Sequence, residues 1–101
     1  MTYLGNAFSA QMVSEFPATV TFEEVKPETI PVSVESCIGH ADTANVVSSI
    51  LGRHVACNRI NVRLGHGDTF YFAQLTGGRL PEGATTLPEG FALKFIKATI
   101  A

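Results

Sequence analysis

The sequence is short of cysteine and of charge, and it contains no tryptophan. Of its 101 residues, two are cysteines and 16% are charged, and the formal net charge is −2. Cys37 and Cys57 belong to no Cys-x-x-Cys motif, which favours reduced thiols over a disulfide. The negative net charge excludes a general attraction to polyanions, so any nucleotide site must be built from a few cations. The low charge also indicates that part of the surface is covered, most simply by a second copy of the chain.

Long hydrophobic runs and a targeting segment are lacking too. The longest apolar stretches reach about ten residues, roughly half the length of a membrane-spanning helix, and the last of them contains Lys94 and Lys97. The first residues show no basic region followed by an apolar one, as a signal peptide would. We therefore expect a cytoplasmic protein. A hydrophobic fraction of 46% in a chain of this length predicts one globular domain, residues 1–101, with one core.

Several familiar catalytic motifs are also missing. The three histidines and the scattered carboxylates have no recognised metal-ligand spacing, so we expect neither a metal ion nor a cofactor. Gly77 and Gly78 are not followed by Lys and Ser or Thr, which excludes a P-loop. There is no Gly-x-Ser-x-Gly motif and no Cys–His pair at an informative spacing. These absences argue against metal-dependent hydrolysis, P-loop nucleotide hydrolysis and a serine or cysteine nucleophile.

What the sequence does contain is a pattern of strands with two helices. A short helix is predicted over Ala10–Glu15 after the N-cap Ser9, and a longer one over Ala44–Leu51, capped by Asp42 or Thr43 and ended by Gly52. Alternating apolar residues predict five strands, Thr2–Phe8, Ala18–Val25, Cys57–Leu64, Thr69–Thr76 and Phe91–Ile100. The fold class is therefore α/β (α+β), a single domain with a mixed sheet of about five strands flanked by one short and one longer helix.

The two middle strands predict a β-hairpin, because Cys57–Leu64 and Thr69–Thr76 flank the four-residue turn 65–68. In the expected register Val62 lies opposite Tyr71. The predicted core face of this hairpin contains Ile60, Val62, Leu64, Tyr71, Ala73 and Leu75. The segment 77–88 that follows is too long for a plain turn and is predicted to be a loop.

The segment from Ser36 to Asn45 places a histidine at the mouth of the longer helix. His40 follows the flexible Gly39 and precedes small polar residues. Helix N-termini offer free N–H groups and a partial positive charge to phosphate groups, so this position suits chemistry on an anion. His40 is equally suited to capping the helix, and the residue pattern alone leaves both interpretations open.

Six short motifs occur in a defined order along the chain. They are Leu-Gly-Asn-Ala-Phe-Ser at 4–9, Ile-Gly-His-Ala-Asp-Thr at 38–43, Asn-Arg at 58–59, Gly-Asp at 67–68, Gln-Leu at 74–75 and Arg-Leu-Pro-Glu-Gly-Ala at 79–84. In order and spacing they resemble the anti-CRISPR ring nucleases of viruses and prophages, a family long known as a domain of unknown function. The likeness extends from about Tyr3 to Ala98.

The resemblance implies a particular activity and assembly. Members of this family are homodimers that bind cyclic tetra-adenylate, the second messenger of type III CRISPR defence. They cut it without a metal into two linear di-adenylates with 2′,3′-cyclic phosphate ends. If the chain is viral, the resemblance implies action in the host cytoplasm, where loss of the messenger silences the host's ancillary nucleases.

The resemblance also assigns residues to the site. The family's catalytic histidine corresponds to His40, and its loop arginine and glutamate correspond to Arg79 and Glu82. In the chemistry that it implies, the 2′-hydroxyl of the RNA attacks the phosphate, His40 protonates the leaving 5′-oxygen and Arg79 stabilises the phosphorane. Glu82 would orient Arg79 or the ribose, or act as a second acid. The family's ligand-binding positions correspond to Asn6, Ser9, Arg59 and Gln11, the last of which replaces an asparagine.

Two other functions remain open at this stage. One is a protein that binds the same ring without cutting it, which the replacement at Gln11 favours. The other is a DNA-binding viral regulator, although the net charge of −2 and the lack of a basic stripe or a recognition helix argue against it. Arg59 is also suited to an ordinary ion pair with a carboxylate, and Ser9 to capping alone.

Overall fold

A computed structural model describes residues 2–101 and shows, within them, one five-stranded mixed sheet and one α-helix. Two 3-10 turns, Ala10–Met12 and Pro27–Thr29, accompany these elements. The strands are β1 (Thr2–Gly5), β2 (Val20–Val25), β3 (Glu35–Ser36), β4 (Thr69–Thr76) and β5 (Ala92–Ile100), and the helix is α1 (Ala41–Leu51). The predicted fold class is confirmed.

The order of the strands determines where loops meet. Across the sheet the order is β2-β5-β4-β1-β3, with β1 parallel to both β3 and β4, and with β5 antiparallel to both β2 and β4. Because β1 and β4 run in the same direction, their carboxyl ends lie at the same edge of the sheet. The segments that begin at Asn6 and at Gly77 therefore leave the sheet toward the same edge, although β4 extends four residues beyond the partner of Gly5, Phe72.

Both faces of the sheet are covered, so successive residues of β4 are buried on opposite sides. Phe70 has no exposed surface and Tyr71 retains only 7%. The face under α1 buries Leu4, Ile30, Ile38, Ala44, Val47, Val55, Tyr71, Ala73 and Phe95. The opposite face buries Val13, Val62, Leu64, Phe70, Ala98 and Ile100. The short strand β1 has buried neighbours on both sides of the sheet, which holds its carboxyl end in place.

The predicted hairpin between Cys57–Leu64 and β4 is wrong. β4 already pairs with β1 on one side and with β5 on the other, so no edge of it is free for a third strand. Residues 57–63 form no strand, and Leu64 makes only an isolated bridge with Val13. Val62 and Tyr71, expected to be neighbours, lie in the two different clusters. The alternation of apolar residues reflects an extended segment that lies on the face of the sheet, because such a segment also buries every second side chain.

The helix begins earlier than the sequence predicts. His40 is the N-cap residue of α1, with extended backbone angles, so Asp42 and Thr43 lie inside the first turn and neither is the cap. The predicted end is confirmed, because Gly52 adopts the left-handed conformation, with φ of 69°, that stops many helices. Ser9 caps only the short turn Ala10–Met12 instead of a helix that extends to residue 15. No helix within residues 2–101 is long and apolar enough to cross a membrane.

Candidate functional site

A cleft of about 660 Å³ opens at the edge of the sheet where β1 and β4 end. Asn6 directly follows β1, Leu75 lies near the end of β4, and His40 starts α1. The cleft is lined by Asn6, His40, Asp42, Thr43, Leu75, Arg79, Leu80 and Glu82. Ligands of α/β proteins bind outside the carboxyl ends of the parallel strands, and the cleft has that position relative to β1 and β4.

A set of hydrogen bonds fixes the backbone that leads into His40. The N–H of Cys37 donates to the carbonyl of Leu4 on β1 at 2.9 Å, and the N–H of Asn58 donates to the carbonyl of Ile38 at 2.8 Å. The Asn58 side chain also donates to the carbonyl of Ser36 at 2.8 Å. Ile38 itself is fully buried. The approach to His40 is therefore held between β1 and the segment around residue 58.

His40 caps the helix with its backbone and not with its side chain. Its carbonyl accepts the N–H of Ala44 at 3.0 Å, as the first hydrogen bond of a helix requires. The imidazole makes no capping hydrogen bond and is exposed in the cleft. His40 is thus the cap that the residue pattern allowed, but through its backbone alone, and its ring is available to a ligand.

The cleft loop, residues 77–90, carries two of the predicted site residues. Leu80 anchors it, since only 7% of this residue is exposed, and the exposed Arg79 and Glu82 lie on either side of that anchor. The Ala84 N–H donates to the Pro81 carbonyl at 3.1 Å and closes a turn in which Gly83 has φ of 79°. That positive φ at the third position is typical of a type II turn. The turn places Glu82 at its tip.

Three charged or titratable side chains of the cleft have no partner among the residues that the structure describes. Within residues 2–101, the side chains of His40, Arg79 and Glu82 form neither a hydrogen bond nor an ion pair. All three are exposed. A guanidinium group can bind a phosphate through two parallel hydrogen bonds, and an imidazole can transfer a proton near neutral pH. The cleft therefore combines an anion-binding group with a proton donor.

Three of the predicted ligand-binding residues lie outside this cleft. Ser9 and Gln11 line a second hollow of about 370 Å³ beside the segment 60–63. The Ser9 hydroxyl accepts the Gln11 N–H at 3.3 Å, so Ser9 does cap its short turn. Arg59 lies against Gly39, where an added Cβ would be 3.2 Å from the Arg59 Cγ. The structure thus brings His40, Arg79, Glu82 and Asn6 together in one cleft and leaves Ser9, Gln11 and Arg59 outside its lining.

Sequence reasoning assigned no ligand role to four residues of the cleft lining. Leu75 and Leu80 carry no chemical signal, because apolar residues of this kind are usually core. Asp42 and Thr43 were interpreted as helix caps, which explained their polarity without a site. The signal that distinguishes Asp42 is a long-range contact, since its Oδ1 accepts the Gly83 N–H at 3.1 Å. Such a contact between the helix and the cleft loop is visible only in three dimensions.

A half-buried thiol, that of Cys37, lies against Leu4 and Gly5 of β1. Burial, with a smaller contribution from the nearby Glu35 carboxylate, raises the pKa of Cys37 to about 11. Its Sγ donates to the carbonyl of Leu4 at 3.5 Å, which also favours the protonated thiol. Gly5 lies close by, because an added Cβ there would be 2.6 Å from the Phe70 Cζ and 3.0 Å from the Cys37 Sγ. A side chain larger than hydrogen therefore does not fit at this position of β1 without a shift of its neighbours.

The fold and the cleft define a small five-stranded α+β protein with a polar cleft at one edge of its sheet. The chain belongs to the STIV B116-like family, whose sequence model matches residues 2–96. Among solved structures it is similar to B116 of Sulfolobus turreted icosahedral virus (STIV), with 27% identity, a TM-score of 0.81 and 97% of each chain covered. None of the curated protein sequences matches it. Both matches support a family of viral proteins.

Proposed function

We propose that the protein is a metal-independent ring nuclease that cleaves cyclic tetra-adenylate and thereby counters type III CRISPR immunity. The observation that carries the proposal is the meeting of His40, Arg79 and Glu82 around one cleft with no partners among residues 2–101. The choice of substrate rests on the six sequence motifs, which resemble those of the anti-CRISPR ring nucleases. Membership of a viral protein family agrees with a role against host defence.

The reaction needs no nucleophile from the protein, because the RNA carries one. The 2′-oxygen of the ribose attacks the adjacent phosphorus, the phosphorus–5′-oxygen bond breaks, and a 2′,3′-cyclic phosphate and a 5′-hydroxyl form. The proton of the 2′-hydroxyl leaves to solvent, and the leaving 5′-oxygen receives a proton from the His40 imidazolium. Two such transesterifications convert the ring into two linear di-adenylates without consuming water.

Each cleft residue has a distinct role in that reaction. His40 is the general acid, a role that typically contributes 10²–10⁴-fold to the rate. Arg79 donates to the phosphorane oxygens, where charge develops in the transition state. Glu82 orients the ribose or Arg79. Asn6, which directly follows β1, contacts the ligand from the cleft lining. Together these contacts align the 2′-oxygen with the phosphorus, and alignment of reacting atoms can itself be worth about 7–11 kcal/mol.

The residues outside the cleft bind the rest of the ring in this proposal. A ring of four nucleotides extends beyond one scissile phosphate, so the hollow that contains Ser9 and Gln11 and the guanidinium of Arg59 contact nucleotides on either side of it. Gln11 retains the carboxamide of the asparagine that it replaces and reaches one methylene further. It therefore keeps the hydrogen-bonding capacity of that position.

The proposal is tested by incubating cyclic tri-, tetra- and hexa-adenylate with the wild-type protein and with His40→Ala. We expect the tetra-adenylate ring to become di-adenylate at a rate that EDTA leaves unchanged and that His40→Ala lowers by roughly 10²–10⁴-fold. The matched control is His54→Ala, because His54 is also exposed and lies outside the cleft lining. An intact ring after incubation with excess enzyme would sink the proposal. Tight binding without product would instead identify a protein that sequesters the messenger.

A further inference from the structure

The cleft loop is closed at its base, which limits how its residues can move. Gly77 and Gly90 lie where the loop leaves β4 and returns to β5. An added Cβ on Gly77 would be 2.8 Å from both the Gly90 carbonyl oxygen and the Phe91 Cα. The two ends of the loop therefore touch, as in an Ω-loop. The base fixes only the ends, so the position of Arg79 and Glu82 depends on the contacts that the loop makes between them.

Two hydrogen bonds join this loop to α1. The Gly83 N–H donates to the Asp42 Oδ1 at 3.1 Å, and the Ser49 hydroxyl donates to the Thr85 carbonyl at 2.6 Å. Ser49 meets the part of the loop that leads away from the cleft. Asp42 meets the part that lines it, because Asp42 itself belongs to the cleft lining. The first bond is the one that acts on the site.

The Asp42–Gly83 bond connects the two halves of the proposed active site over a very short path. Asp42 lies two residues after His40 on α1, and Gly83 directly follows Glu82 in the turn that begins at Pro81. The bond is charge-assisted, since a carboxylate accepts from a backbone N–H, and bonds of this kind are stronger than neutral ones. The helix turn that presents His40 is thereby tied to the loop turn that presents Glu82.

We propose that Asp42 is a positioning residue that holds Glu82 and Arg79 over the cleft beside His40 by accepting the Gly83 N–H. The inference deepens the proposed function and, in its catalytic part, rests on it. Asp42 itself touches no reacting atom in this scheme. Its carboxylate acts through the loop backbone, so the acceptor oxygen at this position matters more than the negative charge.

An acidic residue in the first turn of a helix can also have two other roles, and both of them depend on its charge and not on the acceptor oxygen. A carboxylate there interacts favourably with the helix dipole, and it could also act on the imidazole through its charge. Both of those roles are lost in Asp42→Asn, whereas the asparagine Oδ1 still accepts the Gly83 N–H. In Asp42→Ala all three are lost. The pair of variants therefore distinguishes the acceptor from the charge.

The experiment measures two quantities for the wild type, Asp42→Ala and Asp42→Asn. The first is the hydrogen-exchange rate of the Gly83 amide by NMR, which reports the bond without any reaction. The second is the single-turnover cleavage rate of cyclic tetra-adenylate. We expect Asp42→Ala to accelerate Gly83 exchange and to lower cleavage by about 10- to 100-fold, since a displacement of 1 Å can cost about 10²-fold. Asp42→Asn should keep both within about threefold of the wild type.

The control variant is Glu23→Ala, which removes one exposed carboxylate from the edge strand β2, outside the cleft lining, and should change neither quantity. Unchanged Gly83 exchange in Asp42→Ala would overturn the bond as a restraint. Faster exchange with unchanged cleavage would overturn the positioning role, and equal losses in both Asp42 variants would assign the effect to charge. A wild-type protein that leaves the ring intact overturns the proposed function and the catalytic part of this inference, while Gly83 exchange still decides the restraint.

Discussion

Cys37 and Cys57 differ in their surroundings, although both are free thiols. Cys37 is half-buried behind β1, and burial raises its pKa to about 11, whereas Cys57 is exposed. Only the thiolate reacts readily with alkylating or disulfide reagents. At pH 8 we expect such a reagent to modify Cys57 in the folded protein and to reach Cys37 only after unfolding. Peptide mass spectrometry after timed labelling checks this, and equal labelling of both residues would contradict it.

The same shift has a consequence for stability. Because the folded-state pKa of Cys37 is higher than the ordinary value of 9.0, the folded protein retains a proton that the unfolded chain loses. The contribution of this thiol to the free energy of unfolding is therefore complete below about pH 9 and declines as the pH rises through 9 towards 11. Denaturant titrations of the wild type and Cys37→Ser over that range should show a steeper decline for the wild type.

Some of the site residues predicted from sequence motifs line the cleft, and others lie outside it. His40, Arg79 and Glu82 were assigned from motifs, and the structure brings them to one cleft. Ser9 and Arg59 came from the same motifs and lie outside it. A motif identifies a residue by its type and neighbours along the chain, but the distance between two motifs depends on how strands pair. That pairing was predicted wrongly around residues 57–64, where Arg59 lies.

At the scale of secondary-structure elements, Ser48 joins the end of α1 to the segment after it. Its hydroxyl accepts the Val55 N–H at 2.8 Å and lies 2.7 Å from the Ala44 carbonyl, to which it donates. Val55 is buried in the core under α1, so removing the Ser48 hydroxyl leaves its N–H without this acceptor in a largely buried position. We expect Ser48→Ala to lower the free energy of unfolding by about 1–2 kcal/mol, as measured by urea denaturation.

The control for that variant is Ser33→Ala, since Ser33 is exposed and lies outside regular secondary structure. It should change the free energy of unfolding by less than about 0.5 kcal/mol. Alanine also has a higher helix propensity than serine, by roughly 0.5 kcal/mol, which opposes the loss at Ser48. A Ser48→Ala protein as stable as the wild type would show that Val55 finds another acceptor.

Local sequence rules predicted correctly those boundaries that depend on one local property of the chain. Gly52 ends α1 because only a residue tolerant of positive φ fits there, and the alternation of β4 gives its bounds correctly. The start of α1 was misplaced because Asp42 and Thr43, two residue types that favour caps, belong to the cleft lining instead. The segment 57–64 was misassigned because lying on a sheet face buries the same alternate residues as pairing within it.

At the scale of the whole molecule, the symmetry of the proposed substrate matches two copies of the cleft. A ring of four adenylates contains a two-fold axis, so a two-fold homodimer can present one His40 to each of two opposite phosphates. We expect light scattering to give twice the 10.8 kDa mass of the chain. Mixed dimers with one wild-type and one His40→Ala protomer should make one rapid cut and accumulate linear tetra-adenylate under single-turnover conditions.

The matched sample is an equal mixture of the two pure proteins that has not exchanged subunits. It should yield di-adenylate from half of the ring and leave the remainder intact. If subunit exchange changes nothing, each protomer completes both cuts by itself and the two-fold arrangement is wrong. A mass equal to one chain at the concentrations of the assay would contradict the dimer directly.

The closed base of the cleft loop has one more consequence, which concerns length. Because Gly77 meets Gly90 and Phe91, the loop leaves and re-enters the sheet at a single point. Residues inserted in the exposed stretch near Thr86 therefore leave the pairing of β4 with β5 in register. Doubling the length of a flexible loop costs only about 0.6 kcal/mol in closure entropy. The span between the Asp42–Gly83 bond and β5 is thus a site where related chains can differ in length while the cleft keeps its shape.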